Sequence, residues 1–324
     1  MNPAAPLNLG EDRRMILRLD PRYPLVWRTP DTIQLGIDRP LAIVPGVTAP
    51  LENVIAALRV GVPRSGALML GRQSGATDAA TLALLDALGP ALVGLDSEQA
   101  PPGTEPRAVL PFAGRSAAPV HPVDHPVERP VVCVDGHGPT ADRIRGLLAE
   151  LELTVLTPED RAPQASQLPD LAVIVDHFVL APQRHGRWLR RDVPHLPVLF
   201  SDTEARLGPL VEPGAGPCLT CLELDHVDAD PAWPAIASQL LHRTAPTETP
   251  RLGIAVAATA AGIAHERVFA ASHEYAAVSL AIDAESVTLR RRAHRPHERC
   301  GCRFLPENVI VLAGNVAGFR PRTS

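Results

Sequence analysis

A small N-terminal winged-helix domain followed by an α/β domain with a parallel sheet is the fold class this sequence predicts. Three observations predict it. Residues 1–95 read as a hairpin with three short helices, strands alternate with helices from Pro130 onward, and four of the five cysteines stand in two tight pairs. A length of 324 residues also favours two domains over one.

Composition narrows the function. Hydrophobic residues make up 45% and charged residues 21%, enough apolar material for real cores. A formal charge of -5 argues against a general nucleic-acid binder, which is normally basic. The start "MNPAAPLNLGEDRR" has no secretory hydrophobic core, and no uninterrupted apolar run reaches the ~18 residues of a membrane span, so a cytoplasmic location without membrane attachment is expected. The chain contains no lysine, so every basic side chain is arginine or histidine. A phosphate-binding P-loop lysine and a Schiff-base lysine are therefore excluded.

In the first domain, "PLVWRTPDTIQLGI" and "RPLAIVP" alternate like strands around Gly36–Pro40 and read as a hairpin. Leu51, Val54, Ile55 and Leu58 recur at helical spacing, as do Leu82, Leu85, Leu88 and Leu92. Thr48 and Thr77 stand where N-caps belong, and Gly61 and Gly94 where helices stop. Residues 96–129 are dense in proline, lack apolar periodicity and read as a semi-rigid linker.

The second domain is expected over residues 130–324. "VVCVDGHGPTADRIRGLLAEL" is a buried strand, a glycine turn and a helix, and "LTVL", "LAVIVD" and "LPVLFSD" are three further strands. This alternation argues for a parallel sheet with helices on its faces. "WPAIASQLLHR" and "GIAVAATAAGIAHERVFA" read as helices, and "YAAVSLAID" with "SVTLRRRAHR" as an antiparallel hairpin leading into the last cysteines.

Those cysteines carry the chemistry. A structural zinc needs four soft ligands, and a tight turn can supply two thiolates from one stretch of backbone. Cys218 and Cys221 have the CxxC spacing, and Cys300 and Cys302 the CxC spacing with Gly301 between. The alternatives are a redox dithiol, a disulfide or unrelated buried thiols. A cytoplasmic protein disfavours the disulfide. A redox CxxC opens a helix after a strand, whereas this one follows Pro217 in a Gly/Pro turn. His294 and His297 are read as neighbours of the site rather than ligands, and Cys133 as core.

"VDGHGPT", between a strand and a helix, is a weak dinucleotide fingerprint. Gly136 and Gly138 match its first two glycines, and Glu159 or Asp160 could reach a ribose. The same residues serve equally as a plain tight turn in a domain that holds no nucleotide. The arginine runs "GRWLRRDVPH" and "LRRRAHRPH" read as solvated faces, with binding of an acidic peptide or nucleotide as the alternative. No spacing supports a catalytic nucleophile.

The run "PHLPVLFSDTEARLGPLVEPGAGPCLTCLELD", the Ala-rich helix and the late "CGC" resemble the ThiF/MoeB-type, ubiquitin-activating-enzyme-like family. More closely, the chain resembles the cyclodehydratase-associated ThiF-like proteins of thiazole/oxazole-modified peptide biosynthesis. The resemblance implies a PqqD-like winged-helix domain that binds a precursor leader peptide, then a degenerate ThiF-like Rossmann-type domain. It implies Cys218, Cys221, Cys300 and Cys302 as ligands of a structural Zn2+, and a YcaO-type cyclodehydratase as partner. Gly136, Gly138 and Asp176 fall where adenylating members hold the nucleotide. The short stretch between the second and third strands has no counterpart to the family's ATP-binding arginine, asparagine and lysine. ATP and Mg2+ binding are therefore not expected, and the expected role is a non-catalytic scaffold. Two alternatives stand beside it: an ATP-dependent adenylyltransferase acting on a C-terminal carboxylate, and a regulatory protein outside any peptide pathway. Oligomeric state is left open by the sequence, with a homodimer as one possibility because related folds commonly dimerise.

Overall fold

The computed structural model describes residues 15–96, 129–158 and 168–304. The expected linker and the Glu159 and Asp160 assignments lie outside the described residues. In chain order the first elements are β1 (Met15–Leu19), β2 (Leu25–Thr29), β3 (Thr32–Leu35), β4 (Ala42–Val44), α1 (Ala49–Val60), β5 (Val62–Pro63), α2 (Arg64–Ser74), α3 (Asp78–Leu88) and β6 (Leu92–Asp96). After residue 128 come β7 (Val131–Asp135), α4 (Pro139–Glu150), β8 (Thr154–Leu156), β9 (Leu171–His177), α5 (Pro182–Leu189), β10 (His195–Phe200) and β11 (Glu204–Leu207). The remaining elements are α6 (Leu219–Ala229), α7 (Trp233–Leu240), α8 (Pro250–Ala270), β12 (Val278–Asp283) and β13 (Leu289–Ala293).

The described residues form two compact units. One holds 15–20 and 47–96; the other holds 21–46 with the described residues from 129 onward. The first unit is a three-stranded antiparallel sheet in the order β5–β1–β6, with α1, α2 and α3 between its strands in sequence. Helix α1 buries Leu51, Val54, Ile55 and Leu58, the four positions marked by helical spacing. The Thr77 hydroxyl accepts the Ala80 N–H at 3.1 Å and caps α3. Thr48 holds the cap position of α1 without a side-chain bond. A Cβ on Gly71 would lie 2.3 Å from Thr81 Oγ1, so glycine lets α2 approach α3. Helix α3 ends at Leu88 before Gly89, not at Gly94. Leu92 and Gly94 belong to β6, where they pair with Leu19 and Leu17. Pro90, in a short 3-10 turn, lies between helix and strand, and the leucine spacing alone ran through that break.

The segment 21–46 departs from the expected boundary of a first domain running unbroken to residue 95. It contains two hairpins rather than one, the antiparallel sheet β2–β3–β4, and it packs in the second unit. Val26 is fully buried in that unit's core. Arg28 forks onto Asp230 at 2.8 and 2.7 Å, and Trp27 exchanges two backbone hydrogen bonds with the Gln239 amide. Asp38 accepts from Thr203 and Arg206, while Asp202 accepts the N–H groups of Ile37 and Asp38. Burial, then the Asp38 charge, raises the Asp202 carboxyl to about 7. Burial works in the same direction on Asp38, but Arg206 and its hydrogen bonds hold that carboxyl below the usual range. These partners lie more than 150 residues away in sequence, beyond the reach of any local pattern.

The second unit is built on a seven-stranded sheet in the order β13–β12–β11–β10–β9–β7–β8. Strands β10, β9, β7 and β8 are parallel; β11, β12 and β13 continue antiparallel. The expected parallel sheet is therefore half of a mixed one. Strand β11, four residues long, was too short to be read from its sequence. Side-chain alternation divides the core in two. Val132, Val134, Leu171, Val173 and Val175 pack with α4 and α8, and Cys133, Ala172 and Ile174 with α5 and α6. A Cβ on Gly253 would lie 2.7 Å from Thr140 Oγ1, so α8 approaches α4 closely at that glycine. Helix α8 is long and apolar enough by length and composition to cross a membrane, which the sequence reading did not register. Leu252, Val256, Ala257, Ala260, Ala261 and Ala264 of this helix are buried in the unit's core.

Candidate functional site

Two centres sit in the second unit. The first is the cysteine cluster. Cys218 is the N-cap residue of α6 and Cys221 lies in its first turn, so the CxxC does open a helix, contrary to the expectation from Pro217. What sets it apart from a lone dithiol is the second pair. Cys300 and Cys302, at a 3-10 turn (Gly301–Phe304), bring their sulfurs to the same point. All four are buried, and their Sγ atoms lie within 4.8 Å of one another. The Cys218–Cys221, Cys218–Cys300 and Cys221–Cys302 separations are 3.8, 3.6 and 3.1 Å.

A tetrahedral zinc with bonds of about 2.3 Å would place its sulfurs about 3.8 Å apart, so the cluster is close to that size. Hydrogen bonding from Cys221 holds the Cys218 thiol down at about 4. Burial pushes Cys302 up to about 12, and the bond to Cys218 together with burial pushes Cys221 up as well. A buried set of this kind strongly favours one thiolate, and a divalent cation is the group that would favour more. His294 and His297 turn elsewhere: His294 Nε2 lies 2.7 Å from Ser279 Oγ, and His297 Nε2 lies 2.9 Å from Asp228 Oδ2. Around the sulfurs stand Trp188, Leu180, Val193 and Val211, an apolar shell that joins the α6 start to the last described turn.

The second centre lies at the carboxyl ends of β7 and β9. Chain order reverses here, because β8 lies on one side of β7 and β9 on the other, and open α/β sheets bind ligands at such a switch point. Strand β7 ends in Asp135 and passes through Gly136. A Cβ on Gly136 would lie 2.8 Å from Val175 Cβ, so glycine allows the turn to run against β9. Gly138, with φ +95°, is the N-cap of α4.

The chain's own side chains occupy this place. Glu248 Oε1 accepts the Thr140 N–H at 3.0 Å, and Glu248 Oε2 lies 3.5 Å from His177 Nε2. A helix N-terminus attracts an anion through its free N–H groups and its dipole, and here that anion is a carboxylate of the protein. Arg184 Nη1 bonds Asp176 Oδ2 at 2.5 Å, and Arg184 Nη2 bonds Asp135 Oδ1 at 2.8 Å. Arg187 Nη2 takes the other Asp135 oxygen at 2.5 Å, and Trp188 Nε1 reaches the same oxygen at 3.3 Å. Burial works against the Arg184 cation, but Asp135 and Asp176 more than offset it and raise its pKa.

Gly136 and Gly138 lie in the β7–α4 turn and Asp176 near the end of β9, where Asp176 faces a guanidinium of α5. Sequence reasoning missed Arg184 and Glu248 and read Arg187 as solvated. The only signal for the arginines was their place shortly after the strand that carries Asp176 near its end. Nothing local marked Glu248, which reaches the α4 start from 108 residues away.

No family model matches the sequence, and no curated protein does. Among solved structures the chain is similar to the heterocyclase TruD, with a TM-score of 0.39 and 16% identity over 96% of this chain and 45% of that one. It is similar to a chain of the E. coli microcin synthetase McbBCD complex, with a TM-score of 0.41 and 12% identity over 88% of this chain and 100% of that one. E. coli MccB gives a TM-score of 0.40 and 10% identity over 96% and 99% of the two chains. The chain spans less than half the length of the heterocyclase chains it matches.

Proposed function

We propose that this chain is a non-catalytic scaffold of a thiazole/oxazole-modified peptide cyclodehydratase system, working in the cytoplasm. On this reading the first unit is a PqqD-like winged-helix element that holds the precursor leader. The peptide adds as a strand to the unit's sheet edge, gaining backbone hydrogen bonds there and side-chain specificity from pockets beside it. The second unit is a degenerate ThiF-like domain that docks a YcaO-type partner. Cys218, Cys221, Cys300 and Cys302 hold one Zn2+, which, with four protein ligands and no open position, serves structure rather than chemistry.

One observation carries the non-catalytic part. Glu248 and the Arg184/Arg187 pair take up the helix start and the two aspartates with which an adenylating relative would engage nucleotide and metal. A triphosphate arriving there would meet the Glu248 carboxylate, and a magnesium ion would have to displace two guanidinium groups.

The test is calorimetric, on the full chain. Titration with the precursor peptide encoded beside it should give saturable binding, and titration with Mg-ATP should give none. Micromolar ATP affinity, or pyrophosphate exchange in the presence of any peptide, would establish the adenylyltransferase instead. Absence of peptide binding even with the partner enzyme present would remove the scaffold reading.

A further inference from the structure

A cavity of about 600 Å³ lies in the second unit between α6 and the antiparallel half of the sheet. Its size falls within the range of pockets that hold small molecules. Gly208, Ser279 and Ala281 are small residues of its lining. Register places Leu199, Arg206, Ala281 and Arg290 in one row across β10 to β13, and Ser279 beside Arg292 in the next, with Gly208 also lining the floor. Leu219 and Leu222 of α6 supply apolar lining beside Glu223, Asp225 and His226 of the same helix.

The charges around it are unevenly committed. Asp38 is taken by Arg206 and Thr203, Glu204 by Arg290 and Arg206, and Asp230 by Arg28. Glu223 accepts the Trp233 indole N–H at 2.8 Å, and its burial raises its carboxyl. Arg292, in contrast, makes no ion pair among the described residues. Beside it, His226 Nδ1 is buried without a hydrogen-bond partner. Burial, then Arg206 and Arg292, lower the His226 imidazole to about 4, so it stands neutral at physiological pH. Arg292 thus lines the cavity without an ion pair among the described residues, while Asp225, the remaining carboxylate of the lining, lies 4.0 Å from His297.

We propose that this cavity binds a small amphiphilic anion, its carboxylate on Arg292 and its apolar body along Leu199, Leu219 and Leu222. The site adjoins the cysteine cluster through Leu219 and Leu222 of α6 but uses none of the four sulfurs, and it does not depend on the scaffold reading. A guanidinium with a carboxylate is a charge-assisted pair, and the apolar walls would add affinity through burial of the chain.

The probe is decanoate, titrated into the full chain by calorimetry, with 1-decanol as the uncharged counterpart. Decanoate should saturate one site. Arg292→Met, on an exposed edge strand, should weaken decanoate by about tenfold or more, a loss of the size expected for a charged pair, and leave decanol unchanged. Ala281→Leu fills the floor and should weaken both ligands. Circular dichroism melts establish that each variant is folded; should Ala281→Leu not fold, the Arg292→Met comparison decides. No saturable decanoate binding, or binding unaltered in Arg292→Met, overturns the proposal.

Discussion

Glu248 Oε1 accepts the backbone N–H of Thr140 at 3.0 Å, so the start of α4 is capped by a side chain from just before α8. Residue 248 is only 10% exposed in its side chain, and its second oxygen faces His177. The carboxylate complements a helix N-terminus and ties the β7–α4 turn to α8 in one contact. It thus occupies the switch point of the sheet, the place where open α/β sheets bind ligands.

Removing that cap should cost stability. Glu248→Ala leaves the Thr140 N–H without its acceptor and should lower the unfolding free energy by about 1 kcal/mol. Glu248→Gln keeps an acceptor and should cost less. Chemical denaturation of the three proteins checks the order.

Asp135 is 9% exposed in its side chain and answers two guanidinium groups. Asp135→Ala strands Arg187 and leaves Arg184 with Asp176 alone, and breaking a buried pair costs about 3–5 kcal/mol. Arg184 and Arg187 remain 28% and 34% exposed, so water recovers part of this. A loss of about 2–3 kcal/mol is expected, read from the denaturation midpoint. Arg187→Met should cost less, because Arg184 still answers the carboxylate.

Metal analysis of the purified chain should give close to one zinc per molecule. Cys218→Ser should lower both zinc content and melting temperature. A strong chelator should do the same to the natural protein, since binding energy at such sites is folding energy. Acid should release the metal as the thiolates take up protons. A metal-free preparation with an unchanged melt would end the zinc assignment.

The Asp202 carboxyl is raised to about 7 in the folded chain, from 3.8. Between those values the folded state binds the proton more tightly than the unfolded state. Its contribution to stability is therefore full below pH 3.8 and is lost as pH rises through 7. Asp202→Asn, which resembles the protonated form, should be the more stable protein at pH 8, by on the order of 1 kcal/mol, with the advantage shrinking as pH falls towards 3.8. Thermal melts across that range test the sign.

A fragment ending at residue 95 carries β2, β3 and β4 without Asp230, Gln239, Asp202 and Arg206. Val26, Ile33 and Leu35, fully buried in the whole chain, would lose partners, and the fragment should associate or precipitate. Size-exclusion chromatography distinguishes this from a folded monomer. Leader-binding experiments therefore belong on the full chain.

Local pattern determined a good deal of this protein. Helical spacing marked the four buried residues of α1, strand–turn–helix order marked β7 and α4, and the CxxC and CxC spacings marked the four sulfurs that meet. Each of these signals lies within about twenty residues, the range over which periodicity and turn chemistry act. Tertiary structure alone decided the rest. It placed residues 21–46 in the second unit through Arg28–Asp230 and Asp38–Arg206, 202 and 168 residues apart. It also set Glu248 on α4 and Arg184 between Asp135 and Asp176. An ion pair or a cap needs only that two groups meet in space. The sequence of either partner, taken alone, is an ordinary charged residue in a loop or on a helix face.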